Sequence, residues 1–343
     1  MKKIKLLVLF ILLLGLTGCN QKYENGEVNV FNWSEYIPDS VIRQFEKEYD
    51  IKVNYSTYSS NEECLAKVMS SKTGTYDILV PSDYMVDIML KKDLLEKIDT
   101  ASLTNFSNLD PNYLNQSYDP NNDYSVPFIA GGVVIAVNKQ KIEENITSYN
   151  DLLNPKYKDS IVLLDDERVV IGIALKANGY SLNDTNDYAL AEAKEFLLEL
   201  KPNIKLYDSD NPKGSLITEE ASIGVIWNAE AALAMGENSN IEIVFPKEGI
   251  YKWIDNFVIS KGAKNKENAL KFINYILNSE VMKRVVTYFP YKNVNQETNK
   301  LLSDSYLNNE AMNIPDRIMN NGEFVIDIGE NITKYDRLWS EIK

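Results

Sequence analysis

The 343-residue sequence contains no histidine. This absence removes the side chain that most often acts as a general base or a metal ligand near neutral pH. Hydrolases that depend on a histidine are thereby excluded, as are zinc sites with histidine ligands. Only two cysteines are present, and the phosphate-binding patterns GxGxxG and GxxxxGK are both missing. The sequence therefore predicts neither a metal centre nor a cofactor.

Long apolar runs are also scarce, and the clearest one lies at the N terminus. Three lysines precede the apolar run 6–14, which is too short to span a bilayer comfortably. This pattern predicts a secretory signal over residues 1–18. The stretch LTGC ends at Cys19 and resembles a lipobox, the pattern that directs lipid attachment to a cysteine. We expect residues 19–27 to form a lipidated tether on the extracytoplasmic face of a bacterial membrane; an ordinary signal peptide with an incidental cysteine is the alternative.

Basic residues are outnumbered by acidic ones, 36 to 50, and the formal net charge is −14. A negative field of this size disfavours nucleic acid and mildly favours cations, although many secreted proteins are acidic for solubility alone. If Cys19 carries lipid, Cys64 has no partner, and the mature monomer has no disulfide. Cys64 lies in a helical pattern, so we expect a small buried apolar side chain rather than a nucleophile.

Short runs rich in valine and isoleucine alternate with amphipathic helical segments. Examples of the runs are VNVF, YDILV, SIVLL and IGVIW. This alternation predicts an α/β fold with mainly parallel sheets. After signal removal about 325 residues remain, enough for two domains, yet no Gly/Ser linker divides them. We therefore expect the chain to cross between the domains more than once.

Aromatic and acidic residues recur after the predicted strands, where open α/β proteins build ligand sites. Carboxylates neutralise ammonium groups, and aromatic faces attract cations, so this set favours an organic cation with apolar carbon. A secreted carboxylate-dependent glycosidase would use similar side chains and is the main alternative. An acid after a strand can also simply cap the next helix. The strand-end residues are Trp33, Ser34, Glu35, Tyr36, Ser82, Asp83, Tyr84, Asp165, Asp166, Glu167, Trp227, Asn228, Trp253 and Asp255.

Longer motifs run in order from about Val28 to near the C terminus. They include FNWSEYIP, YDILVPSDYMVD, LTNFSNLDP, NNDYSVPF, YDSDNP and VFPKEG. With these motifs the sequence resembles the spermidine/putrescine-binding proteins of bacterial polyamine ABC importers. The resemblance implies a type II periplasmic-binding-protein-like fold, with a ligand cleft between two lobes that close by a hinge motion. Lobe 1 would comprise 28–131 and 255–299, and lobe 2 would comprise 132–254 and 300–343.

The resemblance also implies a binding function in which the polyamine is not chemically changed. The closed form, a monomer, would dock on the permease subunits of an ABC importer and deliver its polyamine. The rings of Trp33 and Tyr36 would line the cavity beside the ligand, and Glu35 would lie near one of its amines. The ligand-binding residues implied in this way, with neighbouring candidates, are Trp33, Ser34, Glu35, Tyr36, Ser82, Asp83, Tyr84, Asp166, Glu167, Ser209, Trp227, Trp253, Asp255 and Tyr288.

Three positions depart from the family pattern. A family glutamate appears as Val169, and a family glutamine appears as Val325. The family tyrosine near residue 289 matches Tyr288, Phe289 or Tyr291, of which we take Tyr288. Three retained acids, at positions 35, 166 and 255, could match the three ammonium groups of spermidine. We therefore expect spermidine to bind more tightly than putrescine, because each buried charge needs a partner. A binder of another organic cation is the alternative.

Overall fold

The structure is a computed structural model that describes residues 22–343, so the predicted signal and Cys19 lie outside the described residues. Within that range, no helix has the length and apolar character that a bilayer crossing requires. The strands are β1 (Glu27–Trp33), β2 (Lys52–Tyr58), β3 (Ile78–Leu79), β4 (Leu95–Glu96), β5 (Ser125–Asn138), β6 (Ile161–Leu163), β7 (Ile204–Tyr207), β8 (Ile223–Trp227), β9 (Ile241–Val244), β10 (Tyr251–Ser260), β11 (Lys292–Asn293) and β12 (Glu323–Phe324).

The α-helices lie between the strands and around them, as the alternating sequence pattern predicts. They are α1 (Asp39–Tyr49), α2 (Asn61–Ser70), α3 (Asp83–Lys91), α4 (Glu167–Ala177), α5 (Asp187–Leu200), α6 (Pro212–Ile217), α7 (Asn228–Glu237), α8 (Lys266–Ile276), α9 (Ser279–Tyr288), α10 (Gln296–Asn299), α11 (Asp304–Leu307), α12 (Asp316–Asn321) and α13 (Ile332–Ile342).

Two long strands, β5 and β10, form the centre of the fold. They run antiparallel, with Trp253 opposite Gly131 and Val258 opposite Ser125. Beyond β10, strand β3 continues into the parallel strands β1 and β2; we call β1, β2 and β3 the β1 group. Beyond β5, strand β8 continues into the parallel strands β6 and β7; we call β6, β7 and β8 the β6 group. The expected parallel pairing is thus found in the outer strands, and the central strands are antiparallel.

Strand β5 connects the two groups. Its residues up to Gly132 pair with β10, and its residues from Val133 onward pair with β8. Later parts of the chain return to both groups: α8 packs on β1, and the C-terminal α13 packs on α4 and α5. The chain therefore passes between the groups several times, as the missing linker predicts.

Cys64 on α2 is completely buried and forms no disulfide in the described part of the chain. Burial raises the pKa of its thiol to about 12, although a hydrogen bond with Tyr58 acts in the opposite direction. A nucleophilic cysteine needs a lowered pKa. Cys64 therefore behaves as the small buried apolar side chain that the sequence predicts.

Candidate ligand-binding cavity

A cavity lies where the carboxyl ends of the β1 group and the β6 group meet beside β10. Seven aromatic and five acidic residues line it, and no lysine or arginine does so among the described residues. Such a wall suits a ligand that is both positively charged and rich in carbon. The lining residues are Trp33, Ser34, Glu35, Tyr36, Tyr58, Ser59, Asn61, Ser82, Asp166, Ser209, Asp210, Trp227, Glu230, Tyr251, Trp253, Asp255 and Tyr291.

The aromatic rings of the cavity form a connected wall. The ring centroid of Tyr36 lies 6.1 Å from that of Trp33 and 5.1 Å from that of Tyr291. Trp253 continues the wall, 5.4 Å from Tyr291 and 6.2 Å from Trp227. A methylene chain can pack on such ring faces, and ammonium groups at its ends gain cation–π attraction.

The position of Trp253 depends on a glycine in the neighbouring strand. A Cβ atom at Gly131 would collide with the Trp253 ring and with the side chain of Asn228, so only glycine leaves room for the ring. The indole nitrogen of Trp253 and the hydroxyl of Ser209 are buried without a hydrogen-bond partner among the described residues. Buried polar atoms are usually paired, so these two atoms are available to a molecule bound in the cavity.

Asp255 lies at the base of the cavity, at a point where the register between β10 and β5 shifts before Asn256. Such irregularities often re-aim a side chain. One carboxylate oxygen accepts a hydrogen bond from the hydroxyl of Tyr36 at 2.7 Å, and the other accepts one from Ser82 at 2.6 Å. Ser82 is held in turn by Asn61. Burial raises the pKa of Asp255 to about 7, even though both hydrogen bonds lower it.

Asp166 both caps a helix and faces the cavity. It is the N-cap of α4, where its carboxylate accepts the backbone N–H of Val169 at 3.0 Å, and it also lines the cavity. Burial and the nearby Glu62 raise its pKa to about 6. A cation bound beside Asp166 would favour the ionised form and reverse that shift.

Glu35 lies in the loop after β1 with a left-handed backbone, at φ 52°. Its carboxylate already has a partner within the protein, because the ammonium of Lys213 lies 2.8 Å from one of its oxygens. The same ammonium lies 3.1 Å from both carboxylate oxygens of Glu230. The sequence analysis identified neither Lys213 nor Glu230.

Four of the predicted residues do not line the cavity. The carboxylate of Asp83 accepts the backbone N–H groups of Tyr84 and Ile254, and burial raises its pKa to about 8. Tyr84 donates its hydroxyl to Glu62 instead. Glu167 begins α4 and has a pKa raised to about 7, chiefly by burial.

The fourth residue outside the cavity is Tyr288. It is the last residue of α9, and its side chain is 64% exposed. The chain turns after Phe289, and this turn brings the buried Tyr291 into the cavity wall. The choice of Tyr288 over Tyr291 is therefore corrected by the geometry. Ten predicted residues do line the cavity: Trp33, Ser34, Glu35, Tyr36, Ser82, Asp166, Ser209, Trp227, Trp253 and Asp255.

Some lining residues that the sequence analysis missed could have been found by rules that it already used. Tyr251 precedes Trp253 by two residues on β10, so the two-residue period of a strand places both on one face. Tyr58 ends β2, and Ser59 and Asn61 follow it, just as the other site residues follow their strands. The departures at Val169 and Val325 are both buried outside the cavity wall.

Comparison with known proteins places this chain in a family. The sequence matches the family model "bacterial extracellular solute-binding protein" over residues 40–313. It is 41% identical to the spermidine/putrescine-binding periplasmic protein of Salmonella typhimurium over 333 residues, which cover 97% of this chain and 95% of the relative. It is 35% identical to the spermidine/putrescine-binding periplasmic protein 1 of Haemophilus influenzae, covering 96% of this chain and 95% of that protein.

A solved structure agrees with these relatives. The spermidine/putrescine ABC transporter substrate-binding protein of Streptococcus pneumoniae matches with a TM-score of 0.80 and 34% identity, covering 92% of this chain and 98% of that one. The match confirms the predicted two-lobed type II fold, in which the shared strand β5 and its neighbour β10 connect the two strand groups. The chain therefore belongs to the bacterial extracellular solute-binding proteins, in the family of the spermidine/putrescine-binding proteins.

Proposed function

We propose that this protein binds a polyamine outside the cytoplasm and delivers it to the permease subunits of an ABC importer. One observation carries the proposal: the cavity wall combines five carboxylates with seven aromatic rings and, within residues 22–343, contains no basic residue. Polyamines carry ammonium groups on methylene chains, and this wall offers partners for both parts. The relatives are named for binding spermidine and putrescine, which supports the same ligand class here.

The proposal includes a lobe assignment and a closing motion. Lobe 1 comprises 28–131 and 255–299, and lobe 2 comprises 132–254 and 300–343. The change of pairing partner along β5, between Gly132 and Val133, lies one residue from the first boundary and supports it. The lobes close on the ligand by a hinge motion, and the closed monomer docks on the permease. No bond of the polyamine is made or broken, so the protein is not an enzyme.

A calorimetric titration of the ligand-stripped mature protein tests this function. The panel contains spermidine, putrescine, the quaternary amine choline and a neutral oligosaccharide. We expect both polyamines to bind, spermidine more tightly, and the oligosaccharide to be neither bound nor hydrolysed. Tight binding of choline alone would support another organic cation as the ligand. Hydrolysis of the sugar would support the glycosidase, which needs two carboxylates on opposite sides of a sugar bond.

The ring of Trp253 should contribute directly to affinity. Replacing it in Trp253→Leu keeps apolar bulk but removes the ring face and its attraction for an ammonium. We expect polyamine affinity to fall by about 2- to 30-fold, which corresponds to roughly 0.5 to 2 kcal/mol. Trp339→Leu is the matched control, because Trp339 packs against Tyr207 away from the cavity. Unchanged affinity in Trp253→Leu would assign this ring to core packing alone.

The lipid anchor is a separate part of the proposal and is supported by the sequence alone. In its native host, the wild-type protein should partition with membranes and carry lipid on Cys19. Cys19→Ala should carry no lipid, because the side chain that would be acylated is gone. Cys64→Ala is the control and should remain lipidated. Mass spectrometry of the mature N terminus decides the matter, and an unmodified Cys19 in wild-type protein would exclude the anchor.

A further inference from the structure

Lys213 connects the two strand groups at one end of the cavity. It lies on α6, which follows β7 of the β6 group, and Glu230 lies on α7 of the same group. Glu35 lies in the loop after β1, in the opposite group. The ammonium of Lys213 contacts Glu35 at 2.8 Å and Glu230 at 3.1 Å. The chain thus places a positive charge of its own between two carboxylates of the cavity wall.

This charge is well shielded from water. The side chain of Lys213 is only 16% exposed and that of Glu230 is 7% exposed, whereas that of Glu35 is 49% exposed. Burial lowers the pKa of Lys213, but the hydrogen bonds and charges of Glu35 and Glu230 outweigh it and raise the pKa above its usual value. Lys213 therefore stays protonated at any physiological pH. The ion pair with the buried Glu230 therefore resists screening by salt much better than the pair with the half-exposed Glu35 does.

The other two acids at the centre of the cavity have no such partner. Among the described residues, neither Asp166 nor Asp255 forms an ion pair with a lysine or an arginine, and burial raises the pKa of both. Two ligand ammonium groups can therefore find carboxylates that the protein has left unpaired. A third ammonium has to share Glu35 and Glu230 with Lys213, or to pair with Asp210 at the exposed rim, where ion pairs are weak.

We infer that Lys213 is a specificity-determining residue of the polyamine site. Its ammonium takes the place of a ligand ammonium at the Glu35 and Glu230 end. It thereby reduces the advantage of a triply charged polyamine over a doubly charged one. This inference rests on the proposed function, since it names which polyamines that same site distinguishes. It also revises the expectation that Glu35 is free to meet a ligand amine.

Replacing the internal charge tests the inference. Lys213→Met keeps most of the length of the side chain and removes the ammonium, so Glu35 and the buried Glu230 become available to a ligand. We expect spermidine affinity to rise by about tenfold, with putrescine affinity changing by less than about threefold, because a freed buried carboxylate strongly favours a new cation. Lys213→Arg keeps the charge and should preserve the wild-type ratio of the two affinities. Calorimetric titration of both polyamines measures that ratio.

A second variant separates specificity from folding. Lys213→Met combined with Glu230→Gln removes both charges of the more buried pair, so no unpaired buried carboxylate destabilises the fold. In this double variant the gain for spermidine should shrink to less than half of that in Lys213→Met. Equal changes for both polyamines, or no change of the ratio in either variant, would overturn the role of Lys213. If wild-type protein binds neither polyamine, the proposed function itself fails, which is a distinct result.

Discussion

Asp255→Asn is expected to weaken polyamine binding by at least about two decades. Removing one partner of a buried ion pair typically destabilises it by roughly 3 to 5 kcal/mol, because the other charge is left without a counter-ion. Asparagine has nearly the shape of aspartate, and its amide oxygen still accepts a hydrogen bond from Tyr36 or Ser82. The fold should therefore persist while the ligand ammonium loses its partner. Calorimetric titration with spermidine and putrescine measures the loss.

Asp83→Asn is the matched control for this experiment. Asp83 is as buried as Asp255 and comes from the same region of the fold, but its carboxylate accepts two backbone N–H groups and does not line the cavity. We expect its replacement to change polyamine affinity by less than about threefold, well below the loss from a broken buried ion pair. A mild effect at Asp255, or equal losses at both positions, would count against Asp255 as the main counter-ion of the ligand.

The contrast between these two aspartates shows how far the sequence can predict the site. Asp83 follows an apolar strand and Asp255 lies in one. The rule that ligand-binding residues occur near the ends of strands therefore selects both. What separates them is the direction of the carboxylate, which depends on the register shift beside Asp255 and on the start of α3 at Asp83. Neither the register nor the helix start can be read from residue type. The alternation of strands and helices was sufficient for the fold class, because it depends only on local pattern.

The unpredicted contacts are those between residues far apart in the chain. Lys213 and Glu35 are separated by 178 residues, and neither local sequence indicates that the two residues form an ion pair.

A local choice was also not predicted. Tyr291 and Tyr288 are equally aromatic and three positions apart, and the end of α9 decides which of them enters the cavity. Tyr251 is different, since the two-residue period of β10 would have been enough to predict its position beside Trp253.

The affinity for polyamine is expected to fall steeply as the solution is acidified. Burial raises the pKa of Asp255 to about 7 and that of Asp166, with help from Glu62, to about 6 in the ligand-free protein. A ligand ammonium pairs with the ionised carboxylates, so protons compete with it below these values. Between pH 7.5 and pH 5 this competition should weaken binding by about three decades, two from Asp255 and one from Asp166. Primary ammonium groups stay protonated throughout this range.

The free energy of unfolding of the ligand-free protein should change in the opposite direction. A carboxylate whose pKa is higher in the folded than in the unfolded state stabilises the fold while it is protonated. That contribution is complete below the unfolded value of about 4 and is lost as the pH rises through the folded value. For Asp255 the loss occurs around pH 7, and for Asp83 it occurs around pH 8. The ligand-free protein should therefore unfold at a lower temperature at pH 8 than at pH 5.

The variants Asp255→Asn and Asp83→Asn distinguish the pH dependence of polyamine affinity from the pH dependence of stability. Asp255→Asn should flatten both the pH dependence of any residual affinity and part of the pH dependence of stability. Asp83→Asn should flatten only the stability curve near pH 8, because Asp83 lies outside the cavity wall. Calorimetric titration and thermal unfolding of wild type and both variants, from pH 5 to pH 8, give the two curves. An affinity that stays constant in wild-type protein over this range would show that protons and polyamine do not compete for Asp255 and Asp166.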